Sequence, residues 1–261
     1  MIDLRNVSYS YEGVKALNCV SLTIKAGESI ALMGPNGCGK STLLKLLNGL
    51  IVPDKGQYFF NNEEVTGKKL KDEIFIKSLH QKVGFVFQNS ETQLFCADVY
   101  EEIAFGPRQM GFDEKEVEQR VMQCLDLLEI QPLKNRSPYH LSGGEKRKVA
   151  IACVLSLNPD ILVLDEPMNG LDPRTQRWLV SFLKKLNEAG KTLISSTHNL
   201  ELVQELSTRA ILFDEEHNIV ADTESIKLLQ DIALLKKVNL VDEYYHCHEG
   251  DTHKHFHDHT Y

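Results

Sequence analysis

Residues 34–42 combine glycines, a lysine and two hydroxyl side chains at a spacing that binds phosphate. They read G-P-N-G-C-G-K-S-T and fit the pattern G-x-x-x-x-G-K-[ST], with Gly34, Gly39, Lys40 and Ser41 in its fixed places. Glycines allow a tight turn whose backbone N–H groups point into one concavity, and the following helix adds the positive end of its dipole. Lys40 would contact the β- and γ-phosphates of a nucleotide, and the Ser41 hydroxyl would bind Mg²⁺. The pattern therefore predicts a nucleotide site that also includes Pro35, Asn36, Gly37, Cys38 and Thr42.

The residues on either side supply the two elements that this pattern requires. A short apolar run at 30–33 precedes it, as a buried parallel strand would, and leucines at 43, 44, 46, 47 and 50 follow on one broad helical face. A glycine-rich turn without a ligand is the alternative, and the strand, the helix and the Lys-Ser-Thr sequence together argue against it.

Two carboxylates follow a second apolar run, at residues 161–164. Ligands bind beyond the strand ends of parallel α/β sheets, which is where Asp165 and Glu166 are expected to lie. Asp165 is placed to hold Mg²⁺. Glu166 could polarise a water, and general-base catalysis typically contributes about 10²–10⁴-fold. Two solvated acids at a strand end are the alternative, and the presence of Lys40 and Ser41 argues against it.

Two further side chains are candidates because of their positions. His198 follows the apolar strand expected at 193–197, where a hydrogen bond to a terminal phosphate competes with a structural role. Tyr11 lies near a turn between two strands of alternating hydrophobicity, where its ring could stack on a base or pack locally. The alternation places Ile2, Leu4 and Val7 on a buried face of the first strand.

From about residue 90 to 150 the sequence becomes helical. Asp113 predicts a helix start, with apolar residues at 117, 121, 124, 125 and 128 on one face. Ser142 and Glu145 form a second capping box. Gly143 and Gly144 follow the cap, where each costs roughly 1 kcal/mol relative to alanine. Glycines at such positions indicate that another group approaches the backbone closely.

The composition restricts the classes of function. The 261 residues are 42% hydrophobic, enough for one large domain or a core with a subdomain. A net charge of −8 argues against a protein that coats nucleic acid, because such a surface needs excess lysine and arginine. The cysteines are scattered without a C-x-x-C pair, as in a reducing cytosol. Without a signal-peptide pattern or an apolar run of bilayer length, we expect a soluble chain that reaches membranes only through a partner.

Residues 244–261 form a polar tail that contains six of the ten histidines. The tail is too short and polar to fold by itself. Imidazoles with a thiolate suit Ni²⁺, Co²⁺, Cu²⁺ and Zn²⁺. Two alternatives remain, a purification tag, although the histidines are not consecutive, and a merely solvated terminus. The candidate metal ligands are His246, Cys247, His248, His253, His255, His257 and His259.

Five motifs occur in the order found in the ATP-binding-cassette ATPases, and residues 1 to about 225 resemble that family. The motifs are residues 34–42, Gln88, Leu141–Glu145, Ile161–Glu166 and His198. The resemblance implies an α/β fold, a P-loop NTPase core with an antiparallel β subdomain and a helical insertion at about 90–150. A C-terminal helix at 226–243 and the tail at 244–261 would follow the 1–225 ATPase domain.

The resemblance also implies a role for each matching residue. Tyr11 would stack on adenine, Gln88 would contact Mg²⁺ or the attacking water, and His198 would be the switch histidine. Asp165 and Glu166 match the Mg²⁺ aspartate and the catalytic glutamate, beside Lys40. The signature residues Ser142, Gly143 and Gly144 would bind the γ-phosphate of ATP held by an opposite subunit. The implied assembly is a head-to-tail dimer that closes on two ATP molecules. Residues 169–172 would cross its interface.

A narrower resemblance is to the energy-coupling-factor group, the ATPases that power uptake of vitamins and of cobalt or nickel. It is carried by residues 86–89, 93–95 and 104–107. In that group the segment after the glutamine meets the coupling helices of a transmembrane partner, so residues 93–95 are expected on an exposed loop. This chain departs from the usual pattern at Cys38, Ser90 and Asn199. Cys38 in the phosphate loop would make activity sensitive to thiol reagents.

We therefore expect the ATPase subunit of an energy-coupling-factor importer for cobalt or nickel, with ATP and Mg²⁺ as its cofactors. It would lie at the cytoplasmic face of the cell membrane with a second ATPase subunit, a transmembrane coupling subunit and a substrate-binding membrane subunit, and without nucleic acid. Three alternatives remain: an ATPase for vitamins or another solute, a soluble cassette protein acting on ribosomes or DNA, and a metal chaperone or store. The single cassette and acidic balance argue against the second, and Glu166 and His198 against storage alone.

Overall fold

Ten strands form two sheets in the computed structural model, which describes residues 1–241. A four-stranded antiparallel sheet has the order β2-β1-β4-β5, and a six-stranded sheet has the order β10-β9-β3-β8-β7-β6. The strands are β1 (Ile2–Tyr11), β2 (Val14–Ile24), β3 (Ser29–Met33), β4 (Lys55–Phe60), β5 (Glu63–Glu64), β6 (Val83–Val86), β7 (Ile161–Asp165), β8 (Thr192–Ser196), β9 (Arg209–Phe213) and β10 (Ile219–Glu224).

The six-stranded sheet brings four predicted motifs to one edge. Strands β9, β3, β8, β7 and β6 run parallel to one another, and β10 pairs antiparallel with β9. Every residue of β3, β6, β7 and β8 is buried, which explains their continuous apolar sequences. Because parallel strands share one carboxyl edge, the segments that follow these four strands lie near one another.

The antiparallel sheet packs against the helix that follows the phosphate loop. Ile2, Leu4 and Val7 are buried as their alternation predicts, and Ile2 pairs with Ile24 across the β1–β2 ladder. The Tyr58 hydroxyl donates a hydrogen bond of 2.7 Å to the Leu47 carbonyl at the end of that helix. The contact ties the antiparallel sheet to the element that presents the phosphate loop.

Helices cover the sheets and form the insertion. They are α1 (Lys40–Leu47), α2 (Glu73–Lys82), α3 (Val99–Met110), α4 (Glu114–Leu127), α5 (Gly143–Leu155), α6 (Pro173–Glu188), α7 (Leu200–Leu206), α8 (Ser225–Gln230) and α9 (Ile232–Lys237). Short 3₁₀ turns lie at Lys69–Lys71, Ser90–Gln93, Gln131–Leu133 and Pro138–His140. The Asp113 side chain caps α4 by accepting the Glu116 N–H, as predicted, and the predicted apolar face of α4 is buried. Within residues 1–241 no helix is long and apolar enough to cross a bilayer.

The prediction of a single C-terminal helix at 226–243 is wrong. Two short helices, α8 and α9, are separated at Asp231, whose backbone is not helical (φ −84°, ψ 73°). Its side chain instead accepts the Leu234 N–H and starts α9, because a short acid competes for backbone donors and favours caps over helix interiors. Residues 242–243 of the predicted helix lie outside the described residues, as does the tail at 244–261 that was predicted to bind metal.

Candidate functional site

The phosphate loop connects β3 to α1 in a conformation that two of its glycines make possible. Gly34 and Gly39 have φ values of 142° and 110°. A Cβ atom at Gly39 would lie 2.2 Å from the Ala16 carbonyl oxygen, and one at Gly34 would lie 2.7 Å from the Phe213 carbonyl oxygen. No side chain caps the N-terminus of α1. The loop therefore presents backbone donors and a helix dipole to an anion.

Lys40 holds a buried ammonium against this loop. Its side chain donates to the carbonyl oxygens of Gly34 at 2.7 Å and Pro35 at 2.9 Å, and the residue is only 7% exposed. The Cys38 sulfur lies 3.8 Å from the ammonium. Burial raises the pKa of the Cys38 thiol, and the charge of Lys40 opposes this shift only in part.

Three oxygen donors meet behind the loop, at the end of β7. Ser41 Oγ lies 3.1 Å from Asp165 Oδ1, and Ser196 Oγ donates to the same oxygen at 2.6 Å. Asp165 is 6% exposed, and both hydroxyls contact the same oxygen of its carboxylate. Carboxylate and hydroxyl oxygens, with the Gln88 amide nearby in the cleft, are the hard ligands that Mg²⁺ prefers. The donor set therefore fits this ion.

Glu166 faces His198 across the ends of β7 and β8. Glu166 Oε2 lies 3.0 Å from His198 Nδ1, with 12% of the Glu166 side chain and 46% of the His198 side chain exposed. The Glu166 backbone has φ 43°, a region that residues other than glycine rarely adopt. Such strain concentrates at functional sites, where the surrounding structure must maintain it. The arrangement can orient a water beside a phosphate.

One cleft of about 350 Å³ joins most of these groups, whereas Asp165, bonded to Ser41, is not among its lining residues. The cleft brings together the phosphate loop, the strand-end glutamine, the second carboxylate and the histidine, which the sequence predicted from separate motifs. Asn169, which the sequence analysis placed only in a dimer loop, also lines it. The lining residues are Asn36, Gly37, Gly39, Lys40, Ser41, Thr42, Gln88, Glu166, Asn169 and His198.

The residue predicted to stack on adenine and the three signature residues do not line the cleft. Tyr11 is 40% exposed at the end of β1 and packs edge-to-face on Tyr9, with ring centroids 4.9 Å apart. Ser142, Gly143 and Gly144 lie at the N-terminus of α5 and are absent from the cleft lining. One chain therefore does not bring its own signature residues to its own phosphate loop.

Residues 17–169 match the model of the ABC transporter family. The chain belongs to the ABC transporter ATPases. It is 48% identical to the nickel import ATP-binding protein LarO of Lactiplantibacillus plantarum, over 89% of this chain and 97% of that protein. It is 40% identical to the energy-coupling factor transporter ATP-binding protein EcfA of Methanothermobacter thermautotrophicus, over 92% of this chain and 76% of that protein.

Two solved structures agree with this ABC transporter fold. One is cbiO1 from Clostridium perfringens, part of the ABC transporter complex cbiONQ (TM-score 0.78, 32% identity, 92% of this chain and 94% of that chain). The other is a dimeric ATP-binding cassette in a post-hydrolysis state bound to ADP and Pi (TM-score 0.77, 31% identity, 86% and 99%). These likenesses confirm the predicted ATPase fold and its energy-coupling-factor type, and such ATPases work as dimers with membrane components.

The signature residues of this ABC ATPase form the predicted capping box. Glu145 Oε2 accepts the Ser142 N–H at 2.8 Å, and the Glu145 N–H donates to Ser142 Oγ at 3.4 Å. A Cβ atom on Gly144 would lie 3.0 Å from the Thr175 hydroxyl oxygen of α6, whereas one on Gly143 would have only the Gly170 carbonyl oxygen at 3.9 Å. The predicted close approach thus occurs at Gly144, from the same chain, while Gly143 stays open to another molecule.

Sequence reasoning missed Arg147, a buried arginine on the signature helix. Its guanidinium donates to the carbonyl oxygens of Phe87 at 2.8 Å and Gln88 at 2.7 Å, and the residue is 3% exposed. Lys146 beside it pairs with Glu91. The two bases tie α5 to the segment that carries Gln88. A basic pair in a helix start has no distinctive sequence signal.

The expectation that residues 93–95 lie on an exposed loop is corrected for Leu94. Leu94 was predicted to lie on an exposed loop, but it is 7% exposed and packs into the core of the helical insertion. The buried Glu102 carboxylate accepts the Cys96 N–H and turns this loop inward. Phe95 remains 64% exposed and packs edge-to-face on Phe105, with ring centroids 5.1 Å apart. An apolar pair therefore stays on the surface where the partner contact was expected.

Proposed function

We propose that this ABC ATPase powers an energy-coupling-factor importer for nickel or cobalt ions. The relative named for nickel import, similar over nearly the whole of both chains, carries the choice of a metal. The six histidines of the tail, with Cys247, supply ligands that suit both metals. The ATPase of another solute is the second candidate, favoured by the 40% identity to EcfA, whose name specifies no metal.

The cleft supports a specific division of roles. Lys40 and the loop amides would bind the β- and γ-phosphates, and Ser41, Gln88 and Asp165 would hold Mg²⁺. The bound ion would neutralise charge on the phosphates. Glu166 would orient the attacking water and take its proton. His198, whose Nδ1 lies 3.0 Å from the Glu166 carboxylate, would hold that carboxylate toward the cleft.

The position of the signature supports a head-to-tail dimer. Because Ser142, Gly143 and Gly144 do not line their own cleft, they would bind ATP held by a second ATPase subunit, and Tyr11 would complete the adenine site. The partner could be a copy of this chain or a related one. A transmembrane coupling subunit and a substrate-binding membrane subunit would complete the importer, placing this chain at the cytoplasmic face of the membrane.

Uptake measurements test the substrate. The chain would be reconstituted in vesicles with the membrane proteins encoded beside its gene, and ATP-dependent uptake of radiolabelled nickel and cobalt would be compared with uptake of labelled vitamins. Glu166→Gln serves as the inactive control. We expect metal uptake that needs ATP and Glu166. Uptake of a labelled vitamin, with no uptake of nickel or cobalt, would support the second candidate instead.

A further inference from the structure

Ser196 joins the two strands that carry the carboxylates and the histidine of the cleft. It is the last residue of β8, lies opposite Asp165 in the parallel pairing of β7 with β8, and is fully buried. Its Oγ donates to Asp165 Oδ1 at 2.6 Å and accepts the Glu166 N–H at 2.9 Å. Because the amide can only donate, the single hydroxyl proton is directed at Asp165. Each bond therefore fixes the direction of the other.

The second bond holds the strained residue. Glu166 keeps its unusual φ of 43° while its amide is bonded to Ser196, and its side chain then reaches His198. Asp165 Oδ1 also lies 3.1 Å from Ser41 Oγ, so Asp165 is held from the phosphate loop as well as from β8. Because the Asp165 carboxylate is held from both sides, the Ser196 hydroxyl bonded to it has a fixed orientation as the acceptor of the Glu166 N–H.

We propose that Ser196 is a positioning residue for ATP hydrolysis, acting by orienting Glu166 through its backbone amide. The proposal rests on the role proposed above for Glu166. Ser196 does not line the cleft, so its hydroxyl can affect a water there only through the residues that it bonds, Asp165 and Glu166. Without that hydroxyl the Glu166 amide loses its partner and the strained conformation loses a bond that maintains it. The carboxylate would then leave the geometry needed for attack, although the phosphate-binding residues stay in place.

Three substitutions separate this role from packing. Ser196→Ala removes the hydroxyl, and Ser196→Cys keeps the volume but offers a weak donor and acceptor. Ser195→Ala is the matched control, because the neighbouring buried serine alternates to the other face of β8. We expect both Ser196 variants to lower kcat roughly tenfold or more, with less than about a twofold change in the Kd for ATP measured in EDTA. Ser195→Ala should change neither quantity.

A double-mutant cycle identifies the path. In single-turnover assays with labelled ATP, adding Ser196→Ala to Glu166→Gln should slow hydrolysis by less than about twofold, because the orienting effect has already been lost. Three outcomes would each overturn the proposal. The first is a full tenfold loss in the Glu166→Gln background, and the second is a kcat of Ser196→Ala within twofold of wild type. The third is an equal loss of kcat and of ATP affinity, with a lowered Tm that Ser196→Cys restores. An inactive wild type, or wild-type rates for Glu166→Gln, would refute the proposed function instead.

Discussion

Glu166 is the proposed base of the reaction, so hydrolysis should depend on this side chain most directly. Its side chain is 12% exposed, lies 3.0 Å from His198 Nδ1, and follows Asp165, the proposed Mg²⁺ ligand at the end of β7. Glu166→Gln preserves shape but removes the base, so turnover should fall by roughly 10²-fold or more while ATP binding persists and a closed dimer accumulates. Steady-state ATPase assays and size-exclusion chromatography with ATP test this. The exposed Glu188 gives a control, Glu188→Gln, that should hydrolyse normally; wild-type rates in both variants would remove Glu166 from the mechanism.

Cys38 should react slowly, contrary to the thiol sensitivity expected from sequence. Alkylation requires the thiolate, and burial raises the pKa of this thiol, which is 2% exposed. With iodoacetamide at neutral pH, we expect exposed Cys19 to be labelled well before Cys38, with ATPase activity retained meanwhile. Raising the pH should speed labelling of Cys38, because more thiolate forms. Peptide mass spectrometry measures both sites, and rapid inactivation that follows Cys38 labelling would contradict this account.

The site residues that could be predicted from the sequence are those that lie within a short local motif. Lys40 and Ser41 stand beside their glycines, and Asp165 and Glu166 directly follow an apolar run, so each pair is recognised within a short stretch of sequence. Ser196 and Arg147 could not be found this way. Their partners lie 31 and 60 residues away along the chain, and the contacts exist only after β7, β8, β6 and α5 have packed.

The helical insertion presents one apolar pair that we expect to meet the membrane partner. Phe95 and Phe105 are 64% and 43% exposed, and exposed apolar side chains in contact often mark an interface. Phe95→Glu should release the chain from the membrane subunits while leaving basal ATPase activity unchanged, because Phe95 does not line the cleft. Co-purification measures this. Ile74→Glu, on the 82% exposed Ile74 of α2, is the control that should stay bound; equal retention of both variants would place the interface elsewhere.

Elements were predicted well where one pattern dominates. Continuous apolar runs indicated β3, β7 and β8, and capping residues indicated the starts of α4 and α5. The failures came where local pattern and tertiary packing diverge. Asp231 divides the C-terminal helical pattern by capping α9, and Leu94 is buried because Glu102 accepts a backbone N–H of the same loop. Amphipathic periodicity does not detect either event.

For the whole molecule, two subunits should be needed for each active site. Ser142→Arg blocks the signature and Lys40→Ala blocks the phosphate loop, so each variant alone should be nearly inactive. If the chain pairs with itself head to tail, a mixed dimer combines one intact loop with one intact signature, and mixing should partly restore ATPase activity. Glu188→Gln, on an exposed residue outside both motifs, is the control that should be active alone. Normal hydrolysis by Ser142→Arg alone would disprove the composite site.

The tail is expected to act on metal rather than on ATP. None of its residues belongs to a nucleotide motif, and in residues 1–241 no group of three or more His, Cys, Asp or Glu side chains forms a metal site. Deleting residues 244–261 should therefore leave ATP hydrolysis nearly unchanged but abolish binding of Ni²⁺ or Co²⁺, which we expect to be micromolar or tighter, with Zn²⁺ and Cu²⁺ competing. Calorimetry on the full and truncated chains measures binding.

The same binding should depend on pH in a defined direction. Imidazole must lose its proton to bind a metal, so affinity should fall as the pH drops through roughly 6.5, the pKa of free histidine. Truncation should also alter nickel or cobalt uptake at low external metal, or tolerance at high metal, which radiolabelled uptake and growth assays record. If both forms bind metal equally, the tail is only a solvated terminus. The choice of nickel or cobalt would then depend on the likeness of the ATPase core alone, and an importer of another solute would fit that core as well.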